Sequence, residues 1–170
     1  MKLDIRHTFP VTPDEFWAMF WDEEFERRNA QSATVLRELI SERTDGQVRV
    51  QRWRYTSTRP VPAPMAKILG IDRISYEQDN RYDPVAKTLT WKVIPMAMAD
   101  KVTAEGTFTV RPIGTTDCER IVSGTIEVRV MFVGSKVESM ILDAVTSAYE
   151  TGAAQVQAFI PDWRAKQTQA

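Results

Sequence analysis

Apolar and polar positions alternate along most of this chain and give way to a long helical period near its end. Leu3, Ile5, His7 and Phe9 alternate with Lys2, Asp4, Arg6 and Thr8, which predicts a first strand ended by Pro10. Thr12-Pro13-Asp14-Glu15 then reads as a helix start: a capping box, proline at the first helical position, and acids near the positive end of the dipole. Val11 and Phe16 are spaced as a hydrophobic staple, while Phe16 with Phe20 and Trp17 with Trp21 lie one turn apart. Glu23 to Asn29 predicts a second short helix, with Glu23–Arg27 and Glu24–Arg28 at i,i+4 spacing.

From Thr34 the period becomes two. Thr34 to Arg43 and Gln47 to Thr58 read as strands joined by a turn at Thr44-Asp45-Gly46. Val48 and Val50 share one parity and Trp53 and Tyr55 the other, so a bulge near Gln51 is expected. Pro60, Pro62 and Pro64 interrupt the sheet, and Met65 to Leu69 suggests one helical turn ended by Gly70. Ile71 to Tyr82 is a polar, weakly patterned strand, expected to be twisted or at an edge. Ala86 to Pro95 follows, with Leu89, Trp91 and Val93 on one face. The next strand places Val102, Ala104, Gly106, Phe108 and Val110 on one face, and a turn spans Gly114 to Asp117. The last strand alternates through Val122, Gly124, Ile126, Val128 and Val130.

Val133 to Ile160 then predicts one amphipathic helix of roughly 37 Å, opened by a Ser135–Glu138 capping box and stopped by Pro161. Short turns between alternating strands imply an antiparallel sheet with one buried face, and the terminal helix is the large apolar stripe available to cover it.

Composition narrows the partners. A formal net charge of −1 does not suit a nucleic-acid binder, although Arg49, Arg52 and Arg54 could form a local basic patch. Cys118 is the single cysteine and His7 the single histidine, so no metal or other cofactor is expected. The N-terminal residues lack an apolar signal region and no apolar run reaches a membrane span, so a cytoplasmic protein is expected.

The element order, the entry Thr12-Pro13-Asp14-Glu15-Phe16-Trp17 and the Val133-Gly134-Ser135-Lys136-Val137-Glu138 segment before the long helix resemble the START-like superfamily. This superfamily, also called SRPBCC or helix-grip, includes the birch-pollen allergen and polyketide cyclases. More narrowly, the chain looks like a bacterial branch catalogued as a domain of unknown function. The resemblance implies an α+β helix-grip fold: a seven-stranded bent antiparallel sheet around a long C-terminal helix, with two short helices after strand one. It covers residues 1–170 as a single START-like domain and implies a cavity more securely than a cargo.

The expected ligand wall comprises Trp53, Tyr55, Trp91, Val93, Met96, Met98, Phe108, Ile126, Val128, Met140, Ala144 and Ala148. Small residues at Ala104, Gly106 and Gly124 face small residues on the helix, which leaves either close backbone approach or a void. Pro60 to Ile71 resembles the superfamily's gating loop, with Met65, Ile68 and Leu69 as its apolar members. Core packing competes with the pocket for most wall positions, and Ile68 and Leu69 could instead plug the sheet's open end. His7 reads as a satisfied core histidine; Glu38, Arg52, Arg54, Tyr55 and Tyr76 are candidates to orient a ligand's polar end, with surface salt bridges as the plainer reading of the charged ones. No catalytic set is evident.

The leading reading is therefore a non-enzymatic binder or carrier of a hydrophobic small molecule: a lipid, a sterol-like or a polyketide-like compound. It would act as a monomer or weak dimer with transient membrane-surface contact. A cyclase- or hydrolase-like enzyme and a filled-core interaction module stay open as alternatives.

Overall fold

A computed structural model describes residues 1–32, 35–63, 66–67, 70–96, 100–131 and 134–169. The element order is β1 (Lys2–Phe9), α1 (Pro13–Phe20), α2 (Glu23–Ser32), β2 (Val35–Asp45), β3 (Val48–Ser57), β4 (Ser75–Asp83), β5 (Thr88–Pro95), β6 (Val102–Ile113), β7 (Asp117–Val128) and α3 (Gly134–Gln169). The seven strands form one antiparallel sheet in the order β1-β7-β6-β5-β4-β3-β2. Sequence neighbours β1 and β2 thus lie at opposite edges, and α1 and α2 carry the chain between them. This is the helix-grip architecture.

Local chemistry sets the helix entries. Thr12 and Glu15 form the expected capping box, with the Thr12 amide donating to Glu15 Oε2 at 2.7 Å. Val11 and Phe16 are both buried beside it. Asp22 Oδ1 caps α2, accepting from the Glu24 and Phe25 amides. Glu24, rather than a Glu23–Arg27 pair, takes both Arg27 and Arg28 at 2.7 Å.

The main core fills one end of the molecule. Phe9, Phe16, Met19, Phe25, Phe108, Val122, Ile126 and Phe159 are almost wholly buried there. Rings of α1 pack on Phe108 and Tyr82, and Phe25 of α2 meets Phe159 of α3 at 5.3 Å. A smaller cluster at the other end joins Val61, Val128 and Val137, with Ala66, Ile71, Val102 and Met140 against it.

Three expectations need correction. First, α3 does not stop at Pro161 but runs to Gln169. Proline removes one helical hydrogen bond, yet the residues beyond it are held from outside. Trp163 is buried in the main core, Asp162 pairs with Arg28 at 2.7 Å, and Arg164 donates to the Pro10 carbonyl. Second, Glu138 does not reach back to Ser135; its Oε1 accepts from the Val128 amide at 2.8 Å. The pairing of β1 with β7 ends at Lys2–Thr125, so Val128 has no strand partner on that side and the carboxylate supplies one. Third, the bulge lies in β2, at Ile40, opposite Arg52 and Trp53. Strand β3 is itself regular against β4, so Val48 and Val50 fall on the outer face and Gln51, Trp53 and Tyr55 on the inner face.

The extension beyond Pro161 has a measurable consequence. Trp163→Ala should cost about 3–5 kcal/mol, the usual range for a buried tryptophan, as read from the midpoint of urea unfolding at unchanged slope. A loss within about 0.5 kcal/mol would mean that the helix after Pro161 does not support the core.

Candidate functional site

Register across the sheet identifies one continuous inner face. Leu89, Trp91 and Phe108 are buried on it, and the ladder carries the same face outward from them. Trp91 pairs with Asn80, Val93 with Gln78 and Leu89 with Tyr82. These in turn oppose Gln51, Trp53 and Arg49 of β3, while Tyr76 opposes Tyr55. Strand β4 is therefore well patterned. Its inner row is Tyr76, Gln78, Asn80 and Tyr82, and its outer row is Ser75, Glu77, Asp79 and Arg81. The outer row is a salt-bridge surface: Arg52–Asp79 at 2.6 Å, Arg54–Glu77 at 2.9 Å and Arg54–Glu38 at 3.2 Å. The expected surface roles of Glu38, Arg52 and Arg54 hold.

Helix packing on this face is uneven. Helix α3 packs on β7 and β1 and touches α2, while α1 packs on β6 and β7. The inner side chains of β3 and β4 are half-buried, apart from buried Gln51, and at one end Tyr82 packs on Trp17 and Trp21. Tyr149 of α3 lies close enough to Tyr55 and Tyr76 to couple electrostatically with both. Tyr55 and Tyr76 stack at 5.1 Å with an 18° tilt, and the Arg37 guanidinium lies over Trp53 at 4.7 Å. Arg37 also pairs with Glu26 of α2 at 3.2 Å.

At the β7 side stands Arg120, 4% exposed. It donates to His7 Nδ1 at 2.8 Å and to the Tyr149 carbonyl at 3.0 Å. Arginine only donates, so His7 Nδ1 must accept and the imidazole proton resides on Nε2, 3.1 Å from Glu150 Oε1. The guanidinium also faces the rings of Phe9, Phe108 and Tyr149 at 5.3–5.8 Å. Burial, opposed by Tyr149 and Glu150, brings it down to about 10. No carboxylate among the described residues forms an ion pair with it, and its Nε is buried without a partner.

Burial also raises the phenols. It is the largest cause for Tyr55, with the Arg37 charge and hydrogen bonds from Arg37 and Asn80 opposing. It is again the largest for Tyr76, where the Tyr55 and Tyr149 phenols add to it. Tyr149 is pushed up to about 12 by burial, against the Arg120 charge. Cys118 is fully buried and its thiol is pushed up to about 12 by burial first, then by Asp117 and Glu15, which leaves it a poor nucleophile. Among the described residues no group of three His, Cys, Asp or Glu side chains could hold a metal ion, and no helix is long and apolar enough to cross a membrane.

The expected wall residues divide. Trp53 and Tyr55 are on the half-buried inner face of β3, and Val93 is half-buried on β5. Trp91, Phe108, Ile126 and Val128 are buried in the core clusters. Met140 joins the smaller cluster, and Met96 is exposed at the end of β5, its sulfur 3.3 Å from Ser75 Oγ. Ala144 and Ala148 are exposed; the stripe of α3 that packs inward runs one position on, through Ile141, Val145 and Tyr149. Met98, Met65, Ile68 and Leu69 lie outside the described residues. Gly106 and Gly124 leave no void. They are register partners, and a Cβ on either would lie 2.6–2.7 Å from the Trp91 ring. Around Phe16, Phe20, Phe25 and Phe159 the packing has no room for a water molecule, and an open groove of about 530 Å³ beside Val128, Met131 and Ser135 lies at the start of α3.

The parity reading missed Gln51, Gln78, Asn80, Arg37, Arg120 and Tyr149. Arg120 was within reach of it, two residues before Val122 on the same face. The β3–β4 row was hidden because it is polar on both faces.

The architecture is START-like, and the fold comparisons agree. The Zhui aromatase/cyclase from Streptomyces sp. R1128 is similar at 10% identity and a TM-score of 0.66, over 93% of this chain and 92% of that one. Norcoclaurine synthase from Thalictrum flavum gives 19% and 0.62, over 94% and 87%. A START superfamily protein from Mycobacterium smegmatis gives 13% and 0.58, over 91% and 94%. At these identities the likeness is one of fold. The chain belongs to the family described as "Protein of unknown function (DUF2505)", which matches residues 4–160. Comparison with curated proteins gives no match.

Raised phenols give a test of the site's packing. All four tyrosines are held above the ordinary value. A raised folded-state value means that stability is fully present below about pH 10, the unfolded value, and is lost as pH rises toward the folded values. Phenolate absorbance of the native protein should therefore lag the guanidinium-unfolded chain and rise toward pH 12, the value for Tyr149. Two or more tyrosines ionising near pH 10 in the native state would contradict the packed cluster.

Proposed function

We propose that this protein binds a hydrophobic small molecule in the cleft between α3 and the inner face of β3–β5. One observation carries the reading: a row of aromatic and amide side chains, Trp53, Tyr55, Tyr76, Gln78 and Asn80, stays half-buried on β3 and β4, beyond Tyr82, where the rings of α1 meet β4. A half-buried row of rings and amides adds little to a core and suits a ligand. Apolar area at about 25 cal/mol per Å² supplies affinity, and a few placed polar groups supply orientation. Val93 and Trp91 form the deep wall, and the second cluster around Val61 and Met140 closes one end.

Binding is preferred over catalysis on the chemistry of the same groups. Phenols raised by burial stay protonated and act as hydrogen-bond donors rather than bases. His7 has its Nδ1 engaged by Arg120 and its Nε2 against Glu150. The cyclase and synthase among the similar folds keep an enzymatic reading in view, but it needs a base in the cleft that these residues do not provide. Carriage of the ligand between compartments or partners is an extension of the same reading, and a free, buried Cys118 suits a reducing cytoplasm.

Protein purified under gentle conditions should retain a small molecule visible as added mass in native mass spectra, and should bind the apolar fluorophore N-phenyl-1-naphthylamine. Gln78→Trp places a large ring in the middle of the cleft. It should weaken fluorophore binding at least about tenfold while moving the melting temperature by less than about 3 °C. Undiminished binding by this variant would place the ligand elsewhere.

A further inference from the structure

The cleft has an imbalance of hydrogen-bond partners. Its amide acceptors are largely used: Gln78 Nε2 donates to Asn80 Oδ1 at 2.7 Å, and Trp53 Nε1 donates to Gln51 Oε1 at 3.1 Å. Its donors are not. Among the described residues the hydroxyls of Tyr76 and Tyr149 have no hydrogen-bond partner, and Nε of both Arg37 and Arg120 is buried without one. Charge is unbalanced in the same sense. Arg37 shares Glu26, but Arg120 is a buried cation whose nearest acid, Glu150, lies on the far side of His7. An unpaired buried cation is costly, and a partner that brings a negative charge removes that cost.

Shape restricts the partner further. Tyr55 and Tyr76 present nearly parallel rings, with Trp53 next along β3 and its far side covered by Arg37. Flat stacked faces select a flat ring system over a branched or flexible chain.

We infer that the ligand is a planar aromatic carboxylate, its anion received by the Tyr76 and Tyr149 hydroxyls and Arg37, with the Arg120 charge behind Tyr149. This rests on the cleft-binding reading above and adds the ligand's charge and shape to it. A neutral aromatic ligand would fill the same space but leave the hydroxyls and Arg120 uncompensated. Charge-assisted hydrogen bonds of this kind are the stronger ones, so the anion should dominate selectivity.

Two fluorescent probes with one ring frame test this: 9-anthracenecarboxylate and its neutral counterpart 9-anthracenemethanol, titrated into the full chain. The carboxylate should bind at least about tenfold more tightly, as one charged hydrogen bond predicts. Tyr76→Phe keeps the ring and removes the hydroxyl, and Arg37→Gln removes the charge. Each should shrink that preference at least about threefold, with the neutral probe held within about twofold. Tyr76→Phe is nearly isosteric, so it keeps the test decisive if Arg37→Gln folds poorly. Equal binding of the two probes by the parent, or a preference unchanged in Tyr76→Phe, would overturn the inference and leave the cleft as a neutral binding site. Failure of both probes to bind would overturn the cleft-binding reading itself, and this inference with it.

Discussion

One helix cannot cover seven strands. At about 4.8 Å between neighbours the sheet spans roughly 29 Å, while a helix with its side chains is about 10 Å wide. Helix α3 spends its width on β7 and β1, and α1 closes over β6 and β7. Trp53, Tyr55 and Tyr76, on the inner faces of β3 and β4, lie outside the main apolar cluster. The composition of the chain follows that division. Inner positions near α3 are Leu3, Ile5, Phe108, Val122 and Ile126; inner positions away from it are Gln51, Tyr55, Tyr76, Gln78 and Asn80.

The boundary between those two regimes falls at Tyr149 and Arg120. Arg120 ties three elements, because its guanidinium meets His7 of β1 and the Tyr149 carbonyl of α3 while its backbone belongs to β7. The carbonyl it takes is a helix carbonyl, so it fixes α3 at the level where the cleft begins. Its charge is the expensive part of this arrangement: burial lowers its pKa to about 10, and no acid among the described residues pairs with it directly. Three aromatic faces around it recover part of the lost hydration. A neutral donor would make the same two hydrogen bonds without that cost.

The ends of α3 are held by different means. At its start the glutamate that could have capped the helix is used to complete β7, through the Val128 amide, and the small Val61–Val128–Val137 cluster packs beside it. At its far end Phe159, Ile160 and Trp163 enter the aromatic core under α1 and α2. Between them Ile141, Val145, Tyr149 and Ala153 pack against the main core.

Period and capping made most of the fold legible. The alternation of β1, β5, β6 and β7, the Thr12–Glu15 capping box and the amphipathic run from Val137 to Ile160 are local signals that tertiary packing left intact. Local rules failed where a distant contact outweighed them: Trp163 and Asp162 carry α3 past Pro161, Val128 draws Glu138 away from its own helix, and the bulge moved from β3 to Ile40 of the partner strand. The site was much less legible. Alternation marks a face only when one side is apolar, and β4 is polar on both, so Gln78 and Asn80 gave no contrast and Tyr76 stood out only as an aromatic. Trp53 and Tyr55 stood out as aromatics, but register with β4 and β5 was needed to place them inside. That Trp91 fills the space above Gly106 and Gly124, and that Tyr149 rather than Ala148 turns inward, depends on how the sheet and helix meet. Sequence by itself determined which segments are strands and helices, because that choice is made by near neighbours. Tertiary structure alone decided which side chains face the open half of the sheet, because that depends on where a single helix runs out of width.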